Sequence, residues 1–217
     1  MRYPGGKGVS GVYQRLINQI PPHRVYIESH LGGGAIMRYK KLAEINIGID
    51  LDQCALDTWI GAKHINLVHA DAADFLSSYS FMGDEFVYAD PPYLPSTRRS
   101  DRALYRFDYT CRQHSVLLEV LTHLPCNVMI SGYWSALYGQ YLGDWRTIQF
   151  TIRTRSGDTA EEWVWMNYPQ PKELHDYRYL GETFREREKI RRRIQRYKAR
   201  LEQLSPLERR AILAEVL

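Results

Sequence analysis

The sequence contains few of the features that mark disulfide-linked, zinc-binding or membrane-spanning proteins. Its three cysteines, Cys54, Cys111 and Cys126, lie far apart and have no C-x-x-C spacing, which argues against a disulfide framework and a cysteine-based zinc site. No apolar run approaches the roughly 18 residues of a membrane span, and the first residues lack the apolar core of a signal peptide. We therefore expect a cytoplasmic protein with reduced thiols, no metal ion and no membrane partner.

The composition is that of a globular protein with one strongly basic segment. Hydrophobic residues make up 44% and charged residues 25% of the 217 positions, which suits one ordinary domain with a core and a short appendage. The net charge is only +4, but residues 185–200 contain nine Lys or Arg and two Glu. One end of the molecule is therefore predicted to attract a polyanion.

The most informative stretch is an apolar strand that runs into a rigid polar corner. Residues 86–89 favour extended structure, and Pro91 and Pro92 end the strand because they lack backbone donors. Asp90 is left at the carboxyl end, where ligands bind in open α/β sheets. Asp90 and the Pro91 carbonyl can accept hydrogen bonds from an exocyclic amine, and Tyr93 offers a ring for stacking. We predict a pocket for an amino-bearing aromatic base; the alternative is a simple strand-to-loop turn.

Two glycine-rich turns precede this strand. Residues 2–8 open an amphipathic helix that Pro21 and Pro22 end, and residues 29–34 link a short strand to a predicted helix at 35–43. Such turns bring backbone close to a ligand and direct helix N–H groups towards it. Neither the dinucleotide pattern G-x-G-x-x-G nor a P-loop is present. We predict that both turns contact a ligand, with a flexible start and a packing turn as alternatives.

Acidic residues end the second and third predicted strands. Asp50 closes the run 45–50 and is placed to bind the ribose hydroxyls of a nucleoside cofactor, a role for which Asp52 competes. Asp71 follows the run 66–69 and is placed to reach the amino group of a cofactor's adenine. Helix N-capping is the alternative role for these residues.

Basic and aromatic residues alternate after the proposed base pocket. Residues 94–111 form a polar loop, interpreted as a nucleic-acid clamp or as a mobile surface loop. A helix near 113–124 and a strand at 127–131 follow, and the β-rich runs 145–152 and 162–168 predict a closing hairpin with a basic tip. The arginines assigned to nucleic-acid contact here are Arg98, Arg99, Arg102, Arg106, Arg153 and Arg155.

The composition changes beyond Pro171, and we divide the chain into a main domain, 1–172, and a basic helical hairpin, 173–217. Ser205 and Pro206 start the second helix of that hairpin. The first helix carries an apolar seam formed by Ile190, Ile194, Tyr197, Leu201 and Leu204. Either the hairpin is simply solvated, or the seam packs on the main domain or on a second copy while arginines hold phosphates. Those arginines are Arg187, Arg191, Arg192 and Arg196.

With these pieces placed, the chain resembles the DNA adenine-N6 methyltransferase family that includes the bacterial DNA adenine methylases. The resemblance covers about residues 1–170 and rests on five pieces in order: residues 3–7, residues 28–34, Asp50, Asp71 and residues 90–93. It implies an α/β, Rossmann-like S-adenosylmethionine-dependent methyltransferase fold. That fold has a seven-stranded, mostly parallel sheet and a closing antiparallel hairpin, here followed by the basic helical extension.

The resemblance also implies roles for individual residues. S-adenosylmethionine would donate a methyl group to N6 of an adenine flipped out of DNA, without a covalent enzyme intermediate. The implied catalytic residues are Asp90, Pro91, Pro92 and Tyr93. The implied cofactor-binding residues are Tyr3, Pro4, Gly5, Gly6, Lys7, Glu28, His30, Gly32, Gly34, Asp50, Asp71 and Asp90.

Two departures from the family pattern matter. Ser29 and His30 stand where relatives have Pro-Phe, and fewer than 20 residues separate Asp71 from Asp90, where relatives insert a target-recognition domain. We therefore expect DNA contacts in the 94–111 loop, the 153–159 tip and the basic helix, with relaxed specificity or a very short site. Alternatives are an RNA adenine-N6 methyltransferase, an N4-cytosine methyltransferase and a catalytically silent nucleic-acid-binding protein. A homodimer through the C-terminal helix is a further option.

Overall fold

A computed structural model of the protein describes residues 7–8, 11–97, 106–153 and 159–216. The strands are β1 (Val25–Glu28), β2 (Ile45–Asp50), β3 (Asn66–His69), β4 (Glu85–Ala89), β5 (Asn127–Gly132), β6 (Arg146–Arg153) and β7 (Thr159–Met166). The α-helices are α1 (Val12–Ile17), α2 (Ala35–Tyr39), α3 (Gln53–Asp57), α4 (Ala72–Ser78), α5 (Cys111–His123), α6 (Ala136–Leu142), α7 (Phe184–Glu202) and α8 (Pro206–Val216). A short 3₁₀ turn covers Pro95–Thr97.

The strands form one sheet in the order β3-β2-β1-β4-β5-β7-β6. Strands β1 to β5 run parallel to one another, whereas β7 runs antiparallel to both β5 and β6. This confirms the predicted seven-stranded, mostly parallel sheet with a closing hairpin. The strand order changes direction between β1 and β4, and ligands of open α/β sheets bind beyond the carboxyl ends of the strands at such a point.

Helices cover both faces of the sheet, as a mostly parallel sheet requires. Alternate residues of β4 pack on the two faces of the sheet. Phe86 and Tyr88 join the cluster with α1, α2 and α3, whereas Val87 and Ala89 join the cluster with α4, α5 and α6. The central strand is therefore buried on both sides, and its carboxyl end is held rigidly in place.

Two predicted helix boundaries differ from the structure. α5 begins at Cys111 rather than near residue 113 because Thr110 and Gln113 form a capping box. α2 ends at Tyr39 rather than 43, since Lys40 has extended backbone and a buried side chain whose ammonium lies 4.1 Å from the Tyr26 ring centre. The predicted hairpin is present, and residues 154–158 of its tip lie outside the described residues.

The segment after residue 172 first packs on the main domain. The backbone N–H of His175 donates to the Ile20 carbonyl at 3.0 Å, and buried Asp176 accepts from the backbone N–H of Lys41 at 2.8 Å. The Asn18 side chain donates to the Tyr179 carbonyl at 2.7 Å. The predicted boundary stays a prediction, and these contacts tie residues 175–179 to the domain before it.

Helices α7 and α8 form an exposed pair, which we call the arm (residues 184–216). Ser205 accepts from the Glu208 backbone N–H, which starts α8 as predicted. No described residue of either helix is buried. Ile194 and Tyr197 are 52% and 60% exposed, so the main domain does not cover this part of the apolar seam. No described helix combines the length and the apolar character needed to cross a membrane.

Candidate active site

A pocket of about 810 Å³, including its open mouth, lies beyond the carboxyl ends of β1, β2 and β4. Most residues with predicted cofactor or catalytic roles line it together: Lys7, Glu28, His30, Gly32, Gly34, Asp50, Asp90, Pro91, Pro92 and Tyr93. Asp71 lies just behind the wall, which its neighbour Ala72 lines. Tyr3, Pro4, Gly5 and Gly6 lie outside the described residues.

The glycine turn after β1 is fixed by packing as well as open to the pocket. Gly32 and Gly34 have φ of 43° and 54°, in the left-handed region that favours glycine. A Cβ on Gly34 would lie 2.1 Å from the Trp59 ring. The Trp59 indole also donates to the Gly32 carbonyl at 3.1 Å. Packing against Trp59 therefore explains the second glycine, while the backbone of the turn still lines the pocket.

Asp50 braces this turn from the end of β2. It accepts from the Gly32 backbone N–H at 2.7 Å with one oxygen and from the Asp52 N–H at 2.8 Å with the other. Asp52, rather than Asp50, caps α3 through the Cys54 N–H. Burial raises the pKa of Asp50. Because a carboxylate has about four acceptor positions, Asp50 retains capacity for ligand hydroxyls.

Asp71 caps α4, which is the alternative that the sequence left open. One oxygen accepts from the backbone N–H groups of Ala73 and Asp74 at 2.8 and 3.2 Å. The other oxygen accepts from the Tyr109 hydroxyl at 3.4 Å, and Tyr109 lines the pocket. In this structure Asp71 thus reaches the pocket wall through Tyr109.

Asp90 is held by one carboxylate oxygen. Its Oδ1 accepts from Lys7 Nζ at 2.6 Å and from Ser131 Oγ at 2.8 Å. No described donor contacts Oδ2, and the side chain is 19% exposed beside the pocket. The arrangement fixes the orientation of the carboxylate and leaves an acceptor available to a ligand.

Lys7 links Asp90 to a buried acid on the closing hairpin. Its ammonium lies 2.7 Å from the Tyr93 hydroxyl and 3.1 Å from Glu162 Oε1, and Tyr93 donates to Glu162 at 2.6 Å. Burial disfavours the ammonium, but the attraction of Asp90 and Glu162 outweighs it and raises the pKa of Lys7 well above its usual range. Lys7 is therefore charged at neutral pH.

Glu28 and His30 line the pocket at the end of β1. Glu28 is buried and accepts from the Tyr26 hydroxyl and the Met37 N–H at 3.0 and 2.9 Å. Burial raises the pKa of Glu28 to about 8. Burial also lowers the pKa of His30 to about 3, so this imidazole is neutral at physiological pH. His30 lies within 3.1 Å of the Tyr109 hydroxyl, which ties the turn to the opposite rim.

Sequence reasoning missed Ser131 and Glu162 as members of the site. Ser131 lies in β5 and Glu162 in β7, and both polar residues are fully buried. Such residues need partners, and that need was the available signal. It does not identify the partners, since Lys7 and Glu162 are separated by most of the chain.

The predicted nucleic-acid residues fall into different environments. Arg106 is exposed at the pocket rim, 3.6 Å from Asp52, and its neighbour Phe107 lines the pocket. Arg153 ends β6. Arg98, Arg99, Arg102 and Arg155 lie outside the described residues.

The four arginines predicted on α7 also differ from one another. Arg187 donates to the Glu182 carbonyl at 3.0 Å, and Arg191 pairs with Glu188 at 2.8 Å. Arg192 and Arg196 are exposed and have no described ion-pair or hydrogen-bond partner. The structure thus separates arginines engaged within the arm from those open to a partner.

No three His, Cys, Asp or Glu side chains of the described ranges gather in a way that could hold a metal ion. The described residues around Asp90 offer a fixed carboxylate, a buried ammonium and an aromatic hydroxyl. Hydrogen-bond acceptors and negative charge dominate the inner wall. Such a wall suits a ligand with amine hydrogens or a positive charge.

No family model and no curated protein matches the sequence. A conserved hypothetical protein of Streptococcus pyogenes is similar in structure, with a TM-score of 0.50 and 13% identity over 77% of this chain and 100% of that one. Protein 1320 of Thermoplasma acidophilum has a TM-score of 0.49 and 15% identity over 72% of this chain and 83% of that one. M. capricolum TrmK, solved with S-adenosylhomocysteine, has a TM-score of 0.48 and 12% identity over 96% of each chain. The likeness to the S. pyogenes protein concerns the fold alone, and with the strand order it agrees with the predicted Rossmann-like α/β fold.

Proposed function

We propose that this chain transfers a methyl group from S-adenosylmethionine to N6 of an adenine in DNA, as a minimal relative of the DNA adenine-N6 methyltransferases. The observation that carries the proposal is the Asp90 carboxylate, fixed through Oδ1 with Oδ2 left to a ligand at the end of β4. Pro91 and Tyr93 line the same pocket. This places two acceptors and a ring within four residues, as a base with an exocyclic amine requires.

The other half of the pocket suits the methyl donor. Asp50 lines the pocket and would accept from the ribose hydroxyls, and the backbone of Gly32 to Gly34 would give the nucleoside close access. S-adenosylmethionine supplies a methyl group on a positively charged sulfur. Asp90 lines the pocket and provides negative charge there, so the described residues fit a cationic donor.

The chain's residues would act on the target base by positioning and electrostatics. Asp90 Oδ2 and the Pro91 carbonyl accept the two amine hydrogens, which directs the nitrogen lone pair towards the methyl group. Asp90 would stabilise the positive charge that develops on the amine when it accepts the methyl group. One amine proton then passes to Asp90 or to solvent. Tyr93, with its hydroxyl held by Glu162 and Lys7, offers its ring to the base.

The arm offers a surface for the nucleic-acid backbone. Six cations follow the spacing i, i+4, i+7, i+8, i+11 and i+15, which places them along one side of α7. They are Arg185, Lys189, Arg192, Arg193, Arg196 and Arg200, which we call the free face. The acids Glu188 and Glu202 lie on another side, where they meet Arg191 and Lys198. A row of cations without a partner among the described residues supports phosphate binding without base readout, and hence relaxed specificity.

Labelled-donor transfer to defined nucleic acids tests the proposal. The full-length protein is incubated with methyl-labelled S-adenosylmethionine and with duplex DNA, single-stranded DNA or RNA of one sequence, and the products are digested to nucleosides. We expect N6-methyldeoxyadenosine from DNA. Label only in N6-methyladenosine from RNA would show that the substrate is RNA rather than DNA. Label in N4-methylcytosine would show that the target base is cytosine rather than adenine. Binding without any transfer would indicate a catalytically silent protein.

A further inference from the structure

Glu162 is the most deeply buried charged residue of the pocket region, and the proposed chemistry does not require it. It lies on β7, opposite Phe150 of β6, and its side chain has 0% exposure. Both carboxylate oxygens accept from the Tyr93 hydroxyl, at 2.6 and 2.9 Å, and Oε1 lies 3.1 Å from Lys7 Nζ. A buried carboxylate is expensive unless it is paired, so its position calls for a reason.

The cluster around Glu162 contains one more negative than positive charge. Lys7 is the only cation among the described residues of this cluster. The Lys7 ammonium lies within 3.1 Å of three acceptors: Asp90 Oδ1, the Tyr93 hydroxyl and Glu162 Oε1. Ser131 adds a neutral donor to Asp90. Burial raises the pKa of Glu162, but the nearby Lys7 ammonium and the Tyr93 hydroxyl, both donors, favour the ionised carboxylate. Lys7, Asp90 and Glu162 together therefore carry a net charge of about −1 beside the pocket.

This surplus depends on Glu162 rather than on Asp90 alone. Without the Glu162 charge, Lys7 and Asp90 would form a neutral pair, and the pocket wall would no longer favour a cation. With it, the Lys7 charge is shared between two carboxylates, and the negative charge of Asp90 remains effective towards a ligand. Lys7 and Glu162 lie 3.1 Å apart at 5% and 0% exposure, so solvent screens their charges weakly.

We propose that Glu162 is a positioning residue that makes the pocket prefer a cationic methyl donor over its neutral product. The proposal rests on the proposed function, because only a sulfonium donor loses its positive charge when the methyl group leaves. S-adenosylmethionine carries that charge, and S-adenosylhomocysteine is a neutral thioether. Loss of the attraction after transfer would favour exchange of product for fresh donor.

Calorimetric titration of the full-length protein with each compound tests this. In Glu162→Gln, which preserves shape and an acceptor for Tyr93, we expect the preference for S-adenosylmethionine over S-adenosylhomocysteine to fall about tenfold. The affinity for S-adenosylhomocysteine should change by less than about twofold. The matched control is Glu161→Gln, since Glu161 is the exposed neighbour on the same strand and contacts Trp163. This control should leave the preference unchanged.

A second pair of variants separates charge from shape and covers the case in which Glu162→Gln does not fold. Glu162→Asp keeps the charge, and Tyr93→Phe removes the hydroxyl between Glu162 and Lys7 without a change of charge. Both should retain the preference even if they weaken the binding of both compounds. Loss of the preference in either variant, or equal loss for both compounds in Glu162→Gln, would overturn the role of Glu162. A wild-type protein that binds neither compound would instead overturn the proposed cofactor, and this inference with it.

Discussion

The pocket and the arm use positively charged side chains in opposite ways. Lys7 is 5% exposed and meets three acceptors, whereas Arg192 and Arg196 lie on an exposed helix without a described partner. The buried cation organises neighbouring groups, because low solvent screening makes each of its contacts strong. The exposed cations contribute little to folding and remain available to a polyanion. Charge alone therefore says less about a residue's role than burial and pairing do.

Removal of the Lys7 charge should give the largest loss of stability. Lys7→Met would leave Glu162 and Asp90 together without their cation, and breaking a buried pair in this way typically destabilises by about 3 kcal/mol or more. Urea unfolding measures the free energy of unfolding. Lys189→Met, at an exposed position of α7, is the control and should change it by less than about 0.5 kcal/mol. Equal small losses in the two variants would contradict the distinction between the regions.

The buried carboxylate of Glu28 should make stability depend on pH. Its folded pKa of about 8 lies above the ordinary 4.5, so between these values the folded state binds more protons and this contribution to stability falls as pH rises. Glu28→Gln removes that contribution. Relative to wild type, the variant should gain about 2 kcal/mol in free energy of unfolding between pH 5.5 and 7.5. Denaturant titrations without ligand measure the gain, and a pH-independent difference would show that Glu28 does not titrate in this range.

The free face of the arm should control affinity for DNA. The double variant Arg192→Gln/Arg196→Gln removes two cations that have no described partner, and we expect duplex DNA affinity to fall about tenfold and the salt slope to decrease by nearly 2. Arg191→Gln/Lys198→Gln removes two cations that lie near Glu188 and Glu202 and should have a smaller effect. Fluorescence anisotropy at several salt concentrations compares them. Identical slopes for both variants would exclude a specific role of the free face.

The smallest effect is expected on the apolar seam of the arm. Ile194 is 52% exposed, so Ile194→Asp should lower the free energy of unfolding of the monomer by less than about 0.5 kcal/mol. Thermal unfolding at several protein concentrations, together with sedimentation, measures this. A larger loss that depends on protein concentration would show that a second copy covers the seam, as the homodimer alternative holds.

Much of the fold followed from local patterns. The apolar runs of β1, β2, β4 and β5 and the proline corner after Ala89 predicted the sheet, because strand length and strand ends are encoded nearby. The predicted end of α2 was wrong, because Lys40 is buried against Tyr26, a residue from another element of the chain. Long-range packing of this kind leaves no periodic signal.

The site was predictable to a similar extent. Asp50 and Asp90 end their strands, and parallel strands bring such ends to one edge of the sheet. The role of Asp71 could not be decided from the sequence, because a strand-end aspartate that caps a helix and one that contacts a ligand have the same local sequence. Glu162 was missed because its partners Lys7 and Tyr93 approach only when the hairpin closes the sheet.

The role of Asp90 is tested most directly by Asp90→Ala, assayed in parallel for methyl transfer and for DNA binding, with folding checked by circular dichroism. We expect transfer to fall by about 10³-fold or more, while DNA binding through the arm changes by no more than about threefold. A folded variant that retains transfer within about tenfold of wild type would contradict the central claim that this carboxylate holds the target amine.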